Sequence, residues 1–190
     1  MHNRAEPLRA MMRCHGVEFE DRKIPMAEWP KIKPTIPGGQ LPCLEIDGCK
    51  YRESGAQARF VAGKCGFYPR DKPLVQHKID CIVEICSSQL FKLYGPVIHP
   101  EKFKEEDVFT KVIPDIMCKL EEFLCECCKT GKWIAGTDEK TLADFYVGML
   151  YTNYFINKAV GYCPEKWAEC LKKYPKFCQF GEKFVSCPKI

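Results

Sequence analysis

The chain has 190 residues, 46% of them hydrophobic, and its 29 lysine and arginine residues against 25 acidic ones leave a net charge of +4. This length predicts one domain of ordinary size or two small ones. The evenly mixed charge argues against a nucleic-acid-binding protein. No apolar run reaches the roughly 20 residues of a membrane span and the first residues form no apolar signal segment, so the sequence predicts a soluble, cytoplasmic protein.

The first third of the chain shows short strands alternating with helices. Pro7 and apolar residues at helical spacing predict a first helix, which Gly16 ends. The pair Asp47-Gly48 predicts a hairpin turn, and Gly66 predicts the end of a helix. The predicted elements are a helix over 4–14, a strand over 17–20, a proline-rich loop over 24–40 with one short turn at 27–33, a strand over 43–47 and a helix over 54–65.

Residues 67–73 are predicted to be a linker, because helical periodicity dominates everything that follows them. Pro114 is expected to kink or break the second of these helices. A strand-containing first part and a helical second part predict an α/β domain over 1–66 and an all-α domain over 74–190. The predicted helices cover 75–94, 105–129, 141–157, 165–173 and 175–184.

The 14 cysteines are predicted to be reduced thiols that act as small hydrophobic residues. The chain is too long to need disulfide cross-links, and most cysteines lie within apolar helical patterns. Cys125 and Cys128 have the Cys-x-x-Cys spacing, but zinc needs two more ligands and none follows nearby. The sequence therefore predicts no metal site.

The most informative stretch is a glycine loop, an X-Pro bond and a helix start. Gly38-Gly39 precedes Gln40-Leu41-Pro42, and Glu53-Ser54 opens a helix after the predicted hairpin. A backbone edge before a proline can pair with a peptide as a strand does, and free N–H groups at a helix start can bind its carboxylate. The stretch therefore predicts a site for a small peptide.

Five motifs in register resemble the cytosolic glutathione transferases, with the sigma class, which includes glutathione-dependent prostaglandin D synthases, nearest and the mu class next. The resemblance implies a thioredoxin-like N-terminal domain, an all-helical C-terminal domain and a twofold dimer. The motifs are Arg4-Ala5-Glu6-Pro7-Leu8-Arg9, Trp29-Pro30-Lys31-Ile32-Lys33-Pro34, Gln40-Leu41-Pro42, Glu53-Ser54 and Thr141-Leu142-Ala143-Asp144-Phe145-Tyr146.

The resemblance assigns glutathione-binding roles. Pro42 would be a cis proline, so that the Leu41 backbone in the Gln40-Leu41-Pro42 motif pairs with the cysteinyl part of glutathione. Ser54 and Glu53 would bind the γ-glutamyl carboxylate and ammonium. The alternatives are an ordinary loop proline and a plain N-cap serine. The glycyl carboxylate would meet Trp29 and Lys33.

Other resemblances concern the thiol, the second substrate and folding. Arg4 would lie near the thiol or the γ-glutamyl group, and Cys43 is more readily explained by packing than by a mixed disulfide. Tyr146, Tyr94 and Phe91 would line a hydrophobic co-substrate pocket, or else are plain core. Thr141 and Asp144 form a capping box with a structural role: Thr141 caps the helix and Asp144 reaches back to the N–H of the cap.

The sequence departs from the family at two places. In the resembling enzymes the first strand ends in a tyrosine that stabilises the glutathione thiolate, whereas only Met1-His2-Asn3 precedes Arg4 here. Three explanations stay open: an upstream start, another segment in the slot of that strand, or a degenerate paralogue. The resembling sigma enzymes carry a cluster of carboxylates at the dimer cleft, which binds magnesium in some members and contacts glutathione in the partner subunit. This chain keeps Asp80 and Glu84, but the next helical turn has Ser87 and Ser88. The difference argues against a magnesium site and predicts a weaker cross-subunit contact.

The leading hypothesis is a glutathione transferase that binds glutathione, holds its thiolate and attacks or isomerises a hydrophobic electrophile. The alternative is a non-catalytic structural or assembly subunit with the same fold. A homodimer through the helix over 75–94 is expected, since Ile79, Ile82, Val83, Cys86 and Leu90 exceed what a lone surface helix carries. A larger assembly, with a partner strand in the sheet, is the other option.

Overall fold

A computed structural model describes residues 4–157 and 162–187. The N-terminal region contains three helices and one small sheet, close to the predicted order. These elements are helix α1 (Glu6–His15), the short helix α2 (Trp29–Ile32), strands β1 (Leu44–Ile46) and β2 (Cys49–Tyr51), and helix α3 (Ser54–Lys64). Tight turns at Lys33–Thr35 and Pro37–Gly39 connect α2 to the segment before β1.

The rest of the described chain is helical. Its elements are α4 (Pro73–Ile98), α5 (Glu105–Asp107), α6 (Ile113–Thr130), α7 (Leu142–Leu150), α8 (Pro164–Lys173) and α9 (Pro175–Val185), with wide π-helical turns at Val108–Val112 and Tyr151–Phe155. Among the residues that the structure describes, no helix is both long enough and apolar enough to cross a membrane.

The local signals for turns and helix ends are confirmed. Gly16 ends α1 with a left-handed φ of 78°. Strands β1 and β2 pair antiparallel with Ile46 opposite Cys49, and Asp47 and Gly48 both adopt positive φ between them. A two-residue turn with positive φ at both positions matches the right-handed twist of a hairpin.

The strand predicted over 17–20 is wrong. Val17 is 41% exposed, and this segment pairs with neither strand of the described sheet, which has only β1 and β2. Alternating Val17 and Phe19 resemble a strand in sequence, but a strand requires a hydrogen-bonded neighbour. The segment is instead tied to α1 by Asp21, whose carboxylate accepts a 2.7 Å hydrogen bond from Nε of Arg9.

Prolines decide where two of the long helices begin and end. The predicted end at Tyr94 is one turn early: α4 continues to Ile98 and includes Pro96 in its last turn. Pro114 interrupts the regular α-helical pattern, in line with the predicted kink or break: a π-helical turn ends at Val112, and Pro114 is the second residue of α6. A proline in a first turn removes no helical hydrogen bond.

The centre of the core is α7, in which every residue is buried. It packs against α4, α1 and α9, while α6 packs against α4 and α9. Gly148 and Gly181 allow this close approach, since a Cβ at Gly148 would lie 2.3 Å from the ring of Phe184 and one at Gly181 would lie 2.3 Å from the ring of Tyr151.

The predicted capping box at the start of α7 forms through Asp144, which is fully buried. Its carboxylate accepts hydrogen bonds from the backbone N–H of Thr141 at 2.7 Å and of Ile134 at 2.9 Å. The Thr141 hydroxyl also donates to the same carboxylate at 2.9 Å, and both reciprocal contacts of the predicted capping box are present. Burial raises the pKa of Asp144 to about 6.

Candidate functional site

A cleft of about 1180 Å³ lies between α1, the segment before β1, the start of α3 and the second half of α4. It brings together most of the residues predicted from the sequence, although these lie on elements far apart in the chain. The predicted residues that line it are Arg4, Trp29, Gln40, Leu41, Pro42, Glu53, Ser54, Phe91 and Tyr94.

One wall of the cleft is the bend at Leu41-Pro42, whose peptide bond is cis, as predicted. Leu41 is 47% exposed, and its backbone N–H and C=O bond to no other backbone group of the described residues. Two free main-chain groups at an exposed bend can pair with a peptide ligand as a further strand.

The opposite wall is the start of α3. Glu53 lies just outside the helix with φ 69° and ψ 96°, an uncommon conformation for a residue with a side chain. Its carboxylate accepts a 3.0 Å bond from Nε of Arg52. Ser54, the first residue of α3, lines the cleft, and the N–H groups of a first helical turn attract a carboxylate.

The cleft is basic. Five lysine and arginine side chains line it against two carboxylates, Asp21 and Glu53. Asp21 is itself bound to Arg9, and that hydrogen bond lowers the pKa of the Asp21 carboxyl. The surplus of positive charge favours an anionic ligand. The basic residues are Arg4, Arg9, Arg22, Lys23 and Arg52.

Aromatic rings form the far end of the cleft. The ring of Phe91 makes edge-to-face contacts with Tyr94 at 5.4 Å and Phe103 at 5.2 Å between centroids. His99 also lines the cleft, and its ring lies 6.2 Å from that of Phe91. Phe91 is 41% exposed, so this end presents apolar surface next to the basic part. Such surface suits an apolar group of a second ligand.

Two predicted residues lie elsewhere. Tyr146 is 4% exposed and borders a separate small cavity, so it does not line the cleft, and its position fits the core alternative. It lies in the middle of α7, whose whole circumference is buried, and burial raises its pKa to about 12. Lys33 does not line the cleft, but its side chain lies against Gly39, which does.

Asp80 and Glu84 lie one turn apart on α4, and both bind Arg59 of α3. Arg59 donates from Nε to Asp80 at 2.8 Å and from Nη2 to Glu84 at 3.1 Å, and the hydroxyl of Tyr68 donates to Asp80 at 2.9 Å. Within residues 4–157 and 162–187, no cluster of side chains has the composition to hold a metal ion.

Sequence reasoning missed Gln57. This side chain is 3% exposed, and its amide nitrogen donates to the carbonyls of Pro42 at 3.1 Å and Tyr51 at 2.8 Å. It therefore links α3 to both the cis-proline bend, which lines the cleft, and β2. The available signal was a polar residue on the apolar face of a small-residue helix, which required a hydrogen-bonded partner.

The fold combines a small N-terminal sheet region with a largely helical domain, and its basic cleft, with a cis proline on one wall and a helix start on the other, has the architecture of glutathione transferases. A sequence profile of the glutathione S-transferase C-terminal domain matches residues 89–190. The chain is 31% identical to hematopoietic prostaglandin D synthase of Gallus gallus over 193 residues, covering 100% of this chain and 89% of that protein.

Further relatives give the same assignment. A class-mu 28 kDa glutathione S-transferase of Schistosoma japonicum is 38% identical over 151 residues, which cover 74% of this chain and 70% of that protein. The crystal structure of a monomeric glutathione S-transferase of Necator americanus matches with a TM-score of 0.82 at 27% identity, covering 100% of this chain and 89% of that one. The chain belongs to the cytosolic glutathione transferase family.

Proposed function

We propose that the protein is a glutathione transferase of the cytoplasm that binds glutathione in the cleft and transfers its thiolate to a hydrophobic electrophile, or uses it to isomerise one. The observation that carries the proposal is the pairing of a free Leu41 backbone edge with the start of α3 across one basic cleft. Glutathione is an anionic tripeptide, so it matches the backbone edge, the helix start and the positive charge together.

The proposed binding mode follows the chain of the tripeptide. The cysteinyl part pairs with the backbone of Leu41, and the γ-glutamyl group meets Glu53 and Ser54. The glycyl carboxylate meets Trp29 and the ammonium of Lys33, whose side chain lies against Gly39. The aromatic end at Phe91 and Tyr94 receives the hydrophobic substrate, next to the sulfur.

Binding is tested by calorimetry with glutathione. The double variant Glu53→Ala/Ser54→Ala should lose binding, because both anchors of the γ-glutamyl group are removed. Ser186→Ala, an exposed serine just after α9, is the control and should bind as the parent does. A double variant that binds as tightly as the parent would contradict the proposed site.

Catalysis requires a group that stabilises the glutathione thiolate. Of the side chains that line the cleft in the described chain, Arg4 and Tyr94 are the proposed donors to the sulfur, since a guanidinium and a phenol can each stabilise a thiolate. Conjugation of a chlorodinitrobenzene tests this. Arg4→Ala or Tyr94→Phe should lower kcat at least tenfold with little change in glutathione affinity, and full activity in both would contradict these roles.

A non-catalytic member of the family is the second candidate. It is favoured by the described sheet, which has only β1 and β2. The resemblance would place the thiolate-stabilising tyrosine on a further, central strand beside Leu41. Such a protein binds glutathione with no turnover, so calorimetry and the conjugation assay together separate the two candidates.

A dimer through α4 remains part of the proposal, but its interface must use residues other than those expected from the sequence. The structure buries all five apolar residues of the predicted face inside the chain, so none of them is available to a partner: Ile79, Ile82, Val83, Cys86 and Leu90. Leu74, which is 70% exposed, and the outer face of α4 are the surface left. Light scattering should give twice the 21.9 kDa chain mass or a larger assembly, and a clean monomer would contradict both.

A further inference from the structure

Two cysteines from opposite ends of the chain meet at one lysine. The ammonium of Lys140 lies 3.6 Å from the sulfur of Cys14 and 3.2 Å from the sulfur of Cys187. The two sulfurs are therefore no farther apart than the sum of these distances, about 6.8 Å. Cys14 lies in the last turn of α1, and Cys187 follows α9.

The lysine has no carboxylate partner in the described chain. Among residues 4–157 and 162–187 its polar contacts are the two sulfurs, and its ammonium lies 5.9 Å from the centre of the Trp133 ring. Lys140 is only partly exposed, and so are both cysteines. The two sulfurs are therefore the polar atoms placed against a partly buried cation.

A second cysteine–lysine contact, in the part of the chain that the structure describes, has a carboxylate beside its lysine. Lys176 lies 2.8 Å from the sulfur of Cys125, but it also forms an ion pair with the carboxylate of Glu121. The nearby Cys128 contacts the backbone oxygen of Lys176, not its ammonium. In that cluster the carboxylate already neutralises the cation, and only one thiol faces it.

We propose that Cys14 and Cys187 form a redox-active thiol pair, served by Lys140, that reacts with small disulfides such as glutathione disulfide. Bond formation requires side-chain rotations that bring the two sulfurs from at most about 6.8 Å to about 2 Å. The inference does not depend on the proposed transferase function, because the pair lies between the end of α1 and the end of α9, and none of the three residues lines the cleft.

The reaction consists of two thiol–disulfide exchanges. The thiolate of one cysteine attacks one sulfur of glutathione disulfide, forms a mixed disulfide and releases one glutathione thiolate, which takes up the proton that the cysteine lost. The second cysteine then attacks the protein sulfur of the mixed disulfide. The Cys14–Cys187 bond forms, the second glutathione leaves with the second proton, and two electrons have passed from the protein to glutathione disulfide.

The role of Lys140 lies in the exchange itself. Negative charge is shared among three sulfurs as the bond is exchanged, and an ammonium already placed beside two of them stabilises that charge. The product links the end of α1, in the glutathione-binding region, to the segment after the last helix. Oxidation would thereby fasten the N-terminal region to the helical domain.

The test treats the full chain with glutathione disulfide, alkylates the remaining thiols and maps the peptides by mass spectrometry. We expect the first cross-linked peptide to join Cys14 and Cys187, with 12 of the 14 cysteines still alkylated. Cys14→Ser should stop at a glutathione adduct on Cys187. A first cross-link of Cys14 to the buried Cys65, or extensive reaction of other cysteines with no Cys14–Cys187 link, would overturn the proposal.

Lysine variants test the charge. Lys140→Met should slow cross-link formation at least fivefold, whereas Lys140→Arg, which keeps the charge, should stay within about twofold of the parent. Cys125→Ser is the matched control for the other cysteine–lysine contact and should leave the rate unchanged. Circular dichroism on each variant establishes that it is folded, and equal rates in folded Lys140→Met and the parent would refute the role of the lysine.

Discussion

Replacing Asp144 by alanine tests the capping box as the main polar anchor of the core. The carboxylate accepts two backbone N–H groups, from Thr141 and Ile134, and these residues are 3% and 1% exposed. Alanine leaves both donors buried and unpaired. One such donor costs about 1–3 kcal/mol, so two cost about 2–6 kcal/mol.

Removing a buried charge offsets part of that cost, so we expect Asp144→Ala to lower the free energy of unfolding by about 2–4 kcal/mol at pH 7. This is a large share of the 5–15 kcal/mol typical of a domain. The assay is urea unfolding followed by circular dichroism, with the slope m compared between the two proteins.

The matched control is Asp138→Ala, in the same loop. Asp138 is exposed and its contact is a surface ion pair with Lys132 at 3.3 Å, so the expected loss is below about 1 kcal/mol. The reasoning is refuted if Asp144→Ala loses less than about 1 kcal/mol at unchanged m, or no more than the control.

Three further results are expected. The pKa of Asp144 is raised to about 6 in the folded protein, so between about pH 4 and 7 the folded state binds more protons than the unfolded chain. The stability advantage of the parent over Asp144→Ala should therefore fall by up to roughly 3 kcal/mol as the pH rises from about 4 to about 7. A stability difference that grows with pH would contradict this. Gly148→Ala should lower the urea midpoint, at a cost of about 1–3 kcal/mol, since a Cβ there would lie 2.3 Å from a phenylalanine ring of α9, while Gly63→Ala, facing only a flexible arginine at 3.1 Å, should be neutral or stabilising. In calorimetry, Gln57→Leu should weaken glutathione binding at least fivefold by releasing the cis-proline bend from α3, whereas Gln89→Leu, whose amide contacts Asp115 on α6, should not.

The sequence by itself determined the elements whose cause is local. Gly16 and the Asp47-Gly48 pair supply backbone conformations that other residues avoid, and Pro114 cannot continue a regular helix. These signals lie within a few residues, so they predict the end of α1, the hairpin and the interruption of the regular helix before α6. The cis proline and most cleft residues followed from motifs in register.

The tertiary structure alone decided what depends on distant neighbours. Val17 and Phe19 alternate as a strand does, but no described strand lies beside them to complete the hydrogen bonds. Tyr146 belongs to the core because α7 is covered on every side. Gln57 acquires its role from two carbonyls that lie 15 and 6 positions away in the chain. Lys140 contacts both Cys187 and Cys14, and Cys14 lies 126 positions from it. Periodicity in sequence shows which residues share one side of a helix, but only the packing shows what that side meets.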